Sequence, residues 1–188
     1  MGVESVLDYF SIIHRYLAPD STAYPLYLIH CTLVTKLALE IAERLELDAA
    51  AQRFIEEAAM LHDIGIVRTQ MPVIFCDGAL PYLYHLTEGC KLLEAEGLLK
   101  HARVAQTHSG IVLTAERLRS VGLTADLIHF IPRSLEEKII NFADLFYSKD
   151  SATLWRERSV IEARNSIGKF APANLALFDE WATTFGVN

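Results

Sequence analysis

Cysteine is scarce in this chain of 188 residues, and basic side chains are fewer than acidic ones. The three cysteines, Cys31, Cys76 and Cys90, are odd in number and form no CxxC pair. They therefore indicate neither a disulfide framework nor a zinc knuckle. Lysine and arginine number 17 against 24 aspartates and glutamates, which gives a formal net charge of −7. This balance argues against a nucleic-acid partner, because binding to a phosphate backbone needs a cationic surface.

Long hydrophobic runs are also lacking. No stretch approaches the roughly 20 consecutive apolar residues that a membrane-spanning helix requires. The first ten residues, MGVESVLDYF, contain an early acid and no basic segment followed by an apolar run, so they do not resemble a signal peptide. We therefore expect a cytoplasmic protein with no membrane partner.

Hydrophobic residues, in contrast, make up 52% of the chain and recur at helical intervals. In the segment 25–46, for example, Val34, Leu37 and Ile41 lie on one stripe. No run of alternating β-branched residues is long enough to predict a strand, so the expected fold class is all-α. Helices are predicted at 4–16, at 25–46, from an N-cap at Asp48 to a C-terminal cap near Gly65, and at 85–96, 98–108, 113–120, 134–149, 151–169 and 172–185, with a loop at 67–84.

Several histidines and acids fall on the inward faces of these predicted helices. The inward positions are those of His30, His62, Asp63, His108 and Asp144, and His85 opens the helix after the loop. Each residue alone could be an ordinary core residue with its own hydrogen bond. Burying an unpaired carboxylate, however, destabilises the fold by several kcal/mol. One divalent cation bound among these groups would offset that cost for all of them together. Mixed imidazole and carboxylate ligands suit Fe, Mn, Zn, Ni or Co.

The order of these residues resembles a known family. The pattern is His30, then His-Asp-Ile-Gly from His62 to Gly65, then Asp144, and it is similar to that of the HD superfamily of metal-dependent phosphohydrolases, in its HDIG branch. The segments AAMLHDIG and EEKIINFADLFYSKD are also similar to that family. The resemblance covers about residues 25–150. It implies a single HD domain over 1–188, built as a helical bundle with extra N- and C-terminal helices, in which 151–188 is a C-terminal helical extension.

The resemblance also implies a site. His30, His62, Asp63 and Asp144 would be ligands of one metal ion, and His85 and His108 would be ligands of a second. Asp63 would bridge the two ions and, with His62, would be catalytic. The cofactor would be one or two divalent ions among Fe, Mn, Ni, Zn, Co and Mg. His101 lies in the same interval and is expected to face solvent, and His14 and His129 are expected to be surface or capping histidines.

The reaction so implied is hydrolysis of a phosphoester or phosphoanhydride by a metal-bound hydroxide, with a nucleotide or another small phosphate compound as substrate. Arg68 and Lys149 are candidates for contacts to the substrate phosphate, or else ordinary surface charges. The family's cyclic-dinucleotide phosphodiesterases carry paired histidines and a GYP motif. QTHSG at 106–110 is closer to the HTxG of small HD hydrolases that split dinucleoside polyphosphates.

Two alternatives to hydrolysis remain open. A minority of HD proteins use the same ligands for dioxygen chemistry, so one alternative is a mixed-valent di-iron oxygenase. The other is a non-enzymatic nucleotide- or metal-binding module. The amphipathic C-terminal segment would either pack on the bundle or join two protomers into a homodimer.

Overall fold

The computed structural model of this protein describes residues 7–187, over which the chain is mainly helical. The α-helices are α1 (Tyr9–Tyr16), α2 (Ala23–Arg44), α3 (Ala49–Leu61), α4 (His85–Ala95), α5 (Leu99–Thr107), α6 (Ala115–Ser120), α7 (Leu135–Asp144), α8 (Val160–Phe170) and α9 (Leu175–Thr184). The strands are β1 (Thr69–Met71), β2 (Cys76–Asp77) and β3 (Leu80–Pro81). The predicted helical class and the additional helices at both ends are confirmed. The part of the 4–16 helix before residue 7 lies outside the described residues.

The hydrophobic core forms around α2, which packs against α3 and α7. The C-terminal helices α8 and α9 cover the other side of α7, where the ring of Phe142 stacks on that of Phe178 at 5.4 Å between centroids. Trp181 is buried in the same cluster, whereas Trp155 is 71% exposed. Within this chain, therefore, the C-terminal segment packs on the bundle.

By length and composition alone, α2 could cross a membrane, and among the described residues it is the one helix that passes this test. Half of the most apolar 18-residue stretch of α2 is buried inside the protein. A helix at the centre of a bundle is apolar on most of its surface for the same reason. The composition of α2 is thus that of a core helix, and its inward face includes His30.

Polar caps fix where several helices begin. The predicted cap of α3 is confirmed, because the Asp48 carboxylate accepts a hydrogen bond of 2.8 Å from the Ala51 N–H. At α7 the Ser134 hydroxyl accepts one of 3.2 Å from the Glu137 N–H. Caps of this kind stabilise a helix by about 1 kcal/mol and set its first residue. They set the register of α3 and α7, the helices that lead to His62 and Asp144.

The expectation that no strand forms is wrong for the 67–84 segment. Its three strands form a small sheet in the order β2-β1-β3, with β1 antiparallel to β2 and parallel to β3. Each strand has only two or three residues, which is too short for an alternating pattern to show in the sequence.

The helix predicted at 151–169 begins later than expected, and the one at 134–149 ends earlier. Residues 151–155 form turns, and α8 starts after Ser159, which exchanges hydrogen bonds with Glu162 in a capping box. α7 ends at Asp144, and Arg158 bonds the two carbonyls that follow: its backbone N–H donates to Phe146 O at 2.8 Å and its side chain to Leu145 O at 3.0 Å. The chain therefore turns back on itself directly after Asp144.

Gly65 does not cap α3, as the sequence predicted, but allows a close approach of two segments. α3 ends at Leu61, and residues 64–68 form a 3₁₀ turn. A Cβ atom on Gly65 would lie 2.0 Å from the carbonyl oxygen of His85 and 2.4 Å from the backbone nitrogen of Gly89. Only a glycine permits α4 to lie this close, and the contact brings His85 next to the end of α3.

Candidate metal centre

Six side chains from five helical segments converge at one place in the bundle. They are His30 on α2, His62 and Asp63 at the end of α3, His85 at the start of α4, His108 directly after α5, and Asp144 at the end of α7. All except Asp144 are almost completely buried, and the side chain of Asp144 is 14% exposed. The structure thus brings together every residue that the sequence predicted as a metal ligand.

One part of this cluster, the first half-site, consists of His30, His62 and Asp144. The Nε2 atoms of the two histidines are 3.3 Å apart. Oδ1 of Asp144 lies 3.0 Å from Nε2 of His30 and 3.6 Å from Nε2 of His62. Oδ2 of Asp63 completes the group, at 3.3 Å from both of these nitrogens.

The second half-site consists of His85 and His108. Their Nε2 atoms are 3.2 Å apart. Oδ1 of Asp63 lies 3.7 Å from the nitrogen of His85 and 3.4 Å from that of His108. Asp63 therefore offers one carboxylate oxygen to each half-site, which is the geometry of a bridging ligand.

Backbone carbonyls fix the tautomers of three of the histidines. In each, Nδ1 pairs with the carbonyl oxygen three residues earlier, at 2.6 Å for His62, 2.6 Å for His85 and 2.8 Å for His108. A carbonyl oxygen can only accept, so Nδ1 carries the proton and donates it. In the neutral ring the lone pair is then on Nε2, which faces the cluster, as in histidines that bind metals. Burial opposes protonation of His62, but Asp63 and Asp144 outweigh it and raise its pKa well above the usual value, so a cation bound here would displace a proton from Nε2.

Charge differs between the two half-sites. Burial opposes ionisation of Asp63 and Asp144, but the Lys149 ammonium and the neighbouring imidazoles outweigh it and hold the pKa of both carboxyls well below the usual value. Burial lowers the pKa of His85 to about 3, helped by the nearby His108, whose own pKa burial also lowers. At neutral pH the cluster thus presents two carboxylates and, in the second half-site, neutral imidazoles.

The cluster fits a divalent metal ion by the chemistry of its unpaired atoms. Within residues 7–187, Asp63 Oδ1 is buried without a hydrogen-bond partner, and the buried Asp63 Oδ2 and Asp144 Oδ1 have only the Lys149 ammonium and imidazole nitrogens near them. Two buried carboxylates so incompletely paired are costly, and a cation bound among them would remove that cost. Three His/Asp/Cys groups have ligand atoms close enough to hold an ion. Nitrogen and oxygen ligands suit first-row transition metals without selecting one.

Lys149 reaches this cluster from the loop after α7. Its Nζ lies 2.7 Å from Oδ2 of Asp63 and 3.8 Å from Oδ1 of Asp144, and its side chain is 17% exposed. It lines a pocket of about 340 Å³ together with His85, Asp144 and Tyr82, whose ring stacks on His85 at 4.5 Å. The metal cluster is thus open to a small molecule on the side where Lys149 lies.

Arg68, the other basic residue that the sequence proposed for phosphate contact, lies elsewhere. It is exposed at the end of the 3₁₀ turn at 64–68, on the side of Tyr16, and it does not line the pocket. A pocket of about 380 Å³ near α5 and the start of α7 contains none of the six predicted ligands either.

His101 does not face solvent, so that expectation is wrong, whereas His14 and His129 are exposed as predicted. The ring of His101 packs edge-on against Phe54 at 5.0 Å, and its Nε2 lies 3.2 Å from Oε2 of Glu57. The sequence did contain the signal, because position 101 precedes the inward His108 by seven residues, two helical turns.

Cys31 is a neighbour of the cluster that the sequence analysis missed. Its buried thiol forms a third potential ligand group with His62 and Asp63, and burial raises the pKa of the thiol. The signal was its place directly after His30, on the helical stripe that leads to Val34.

Comparison with known proteins identifies the family. The sequence pattern of the HD domain family matches residues 27–148. A tRNA (cytidine(56)-2'-O)-methyltransferase from Picrophilus torridus is 27% identical over 132 residues, which are 70% of this chain, and the match spans only 34% of that relative.

Two solved structures of the HD domain of phosphodiesterase PgpH from L. monocytogenes share the fold. The one in complex with cyclic-di-AMP has a TM-score of 0.52 at 14% identity and covers 96% of this chain and 94% of that one. The other has a TM-score of 0.56 at 15% identity, with coverages of 94% and 88%. The family match covers well over half of the chain, and the matched range contains all six residues of the cluster. This chain is therefore a member of the HD domain family.

Proposed function

We propose that this protein is a metal-dependent phosphohydrolase that acts on a nucleotide. The observation that carries the proposal is the position of the Asp63 carboxylate, with one oxygen toward His30 and His62 and the other toward His85 and His108. Such a carboxylate is suited to holding two cations side by side, the arrangement typical of phosphoryl-transfer enzymes.

A divalent cation supplies two things to this chemistry: it lowers the pKa of bound water and it neutralises charge on the phosphate oxygens. The protein's own contribution is to fix the ligands before substrate arrives. The carbonyls that accept from Nδ1 of His62, His85 and His108 hold each ring in one orientation. Because the ligands are buried, few rearrangements are needed on binding, which favours catalysis by electrostatic preorganisation.

Lys149 is the residue that we assign to phosphate binding. Its ammonium lies on the pocket side of Asp63 and Asp144, where a substrate phosphate would approach the cluster. The carboxylates raise the pKa of Lys149 well above its ordinary value despite burial, so the group stays charged. A fixed ammonium can donate hydrogen bonds to phosphate oxygens and oppose their charge.

The comparisons support this class of reaction. The family signature is present, and the similar fold of PgpH belongs to a phosphodiesterase that was solved with a cyclic dinucleotide. The methyltransferase relative carries less weight, since this chain spans about a third of its length. The nucleotide substrate is our proposal from these likenesses and from the pocket beside the cluster.

A hydrolysis screen tests the proposal. Purified protein is incubated with mononucleotides, dinucleoside polyphosphates and cyclic dinucleotides, each with Mn, Fe, Ni or Mg, and the products are separated by chromatography. We expect at least one nucleotide to be hydrolysed by the wild type and not by an Asp63→Ala variant. Turnover that requires dioxygen, together with a mixed-valence paramagnetic signal, would overturn the proposal in favour of the oxygenase. Nucleotide binding without any turnover would instead indicate a binding module.

A further inference from the structure

The pocket beside the metal centre contains two arginines that the proposed reaction does not use. Arg117 comes from α6 and Arg158 from the segment before α8, and both line the pocket with Lys149. Among residues 7–187, neither arginine has an acidic side chain within 4.0 Å, in a protein whose net charge is −7. Two half-buried guanidinium groups without a carboxylate partner point to an anion from outside the chain.

Arg117 is held in place by an aromatic ring. Its guanidinium carbon lies 4.9 Å from the centroid of the Phe170 ring, a cation–π contact. Its Nη1 donates a hydrogen bond of 3.4 Å to the carbonyl of Val112. A guanidinium has five N–H donors, so most of those of Arg117 remain for a ligand.

Arg158 is fixed by the backbone that follows α7. Its main-chain N–H donates a hydrogen bond to the carbonyl of Phe146, and its Nη1 donates one to the carbonyl of Leu145. The same turn leads to Ser148 and Lys149, which also line the pocket. Arg158 is therefore tied to the loop that places Lys149 on the carboxylates.

The ligand that these groups favour is an anion rather than a flat base. The ring of Phe170 already contacts two cations, Arg117 and, at 5.2 Å, Lys169. The hydroxyls of Ser109, Ser148 and Ser166 add further hydrogen-bonding groups to the wall. Two carboxylates also lie at the pocket: Asp144, which belongs to the metal cluster, and Asp150, which accepts a hydrogen bond of 2.9 Å from the Ala152 N–H.

We propose that Arg117 and Arg158 form a second phosphate subsite, which binds a phosphoryl group of the substrate other than the one cleaved at the metal centre. The inference rests on the proposed function and narrows it, because the substrate then carries at least two phosphoryl groups, as nucleoside diphosphates, triphosphates and dinucleotides do. Arginine suits this role because its planar fork bonds two phosphate oxygens at once.

The subsite belongs in part to the C-terminal extension. Arg158, Ser166 and Phe170 lie beyond residue 148, where the match to the HD domain family ends. The part of the chain that matches the family thus contains the six candidate metal ligands, and the extension supplies one wall of the pocket. Substrate choice would then depend on residues outside the family signature.

Binding of non-hydrolysable analogues tests the subsite without requiring turnover. Mn-loaded protein is titrated by calorimetry with the methylene phosphonate analogues of AMP, ADP and ATP. The variants are Arg117→Gln and Arg158→Gln, and the control is Arg119→Gln, an exposed arginine on α6, the helix of Arg117. The control removes one positive charge from α6, as Arg117→Gln does. The analogues chelate Mn equally in all of these titrations, so the comparison with the control corrects for chelation.

We expect the wild type and the control to bind the ADP or ATP analogue at least about 10-fold more tightly than the AMP analogue. Each pocket variant should lose most of that advantage and keep its affinity for the AMP analogue, which also shows that the variant is folded. An advantage that survives in both variants, or is absent from the wild type, would overturn the subsite. Loss of the advantage in a protein that hydrolyses nothing would support the subsite and count against the proposed hydrolase.

Discussion

The two half-sites share the Asp63 carboxylate but differ in charge and in construction. The first contains a second carboxylate, Asp144, and has the Lys149 ammonium beside it. The second contains two imidazoles whose pKa values burial lowers, so that they are neutral. The first is built from α2, α3 and α7 around the main core, whereas the second depends on the contact of α4 with residues 64–68.

This difference indicates an order of metal affinity. A cation in the first half-site has four ligands, two of them carboxylates, whereas one in the second has three, of which only the shared carboxylate is charged. Although the Lys149 ammonium repels a cation in the first half-site, the additional charged ligand leads us to expect that this half-site fills first.

Replacement of Asp63 by alanine should affect both half-sites together. Because each of its oxygens faces a different pair of histidines, the variant loses a ligand on both sides. We expect metal content to fall from two ions per chain to less than one, and hydrolysis to fall by at least about 1,000-fold. Elemental analysis of protein purified beside the wild type measures the first effect. Equal metal content in the two proteins would remove the bridging assignment.

A His108→Gln substitution should affect only the second half-site. We expect the metal content to fall from two ions to one and the activity to fall by about 100-fold, since the remaining ligands of the first half-site stay in place. His101→Gln is the matched control, because His101 is a buried histidine on α5, the helix that leads to His108, and it pairs with Glu57 and not with the cluster. Two ions per chain in the His108 variant, or an equal loss of metal from the His101 variant, would contradict the assignment of His108 as a ligand.

The close contact at Gly65 should make the second half-site more sensitive to packing than the first. An alanine Cβ there would overlap backbone atoms of α4, so Gly65→Ala should destabilise the fold by about 3 kcal/mol and displace His85. Gly168→Ala in α8 is the control, since its Cβ would meet nothing closer than 3.8 Å. Thermal unfolding measures both variants. A Gly65 variant as stable as the control would contradict the close approach.

Removal of the Lys149 charge should lower the rate without removing metal. We expect Lys149→Gln to reduce kcat by about 10-fold, or about 1.4 kcal/mol, with unchanged metal content. Arg68→Gln should have no effect, because Arg68 lies outside the pocket. Steady-state kinetics and elemental analysis of the two variants compare them directly. A larger loss in the Arg68 variant than in the Lys149 variant would reverse our assignment of the phosphate contact.

Most of the metal centre could be predicted from the sequence, because helical periodicity places His30, His62 and Asp144 on inward faces and the family signature gives their order. The sequence could not show the sheet at 69–81, since its strands are too short to have a pattern. His101 is adjacent to Lys100, which is typical of an exposed position, and only its spacing to His108 indicates that it is buried. Arg117 and Arg158 carry no motif at all, and only the turn after α7 and the packing of α8 bring them to the pocket.

Anomalous diffraction from a crystal soaked in Mn²⁺ tests the two-cation arrangement most directly. The account predicts two peaks on opposite sides of the Asp63 carboxylate, about 3.5–4 Å apart, one within bonding distance of His30, His62 and Asp144 and the other of His85 and His108. A single peak that leaves the second pair of histidines without a cation, or no peak within reach of Asp63, would contradict it.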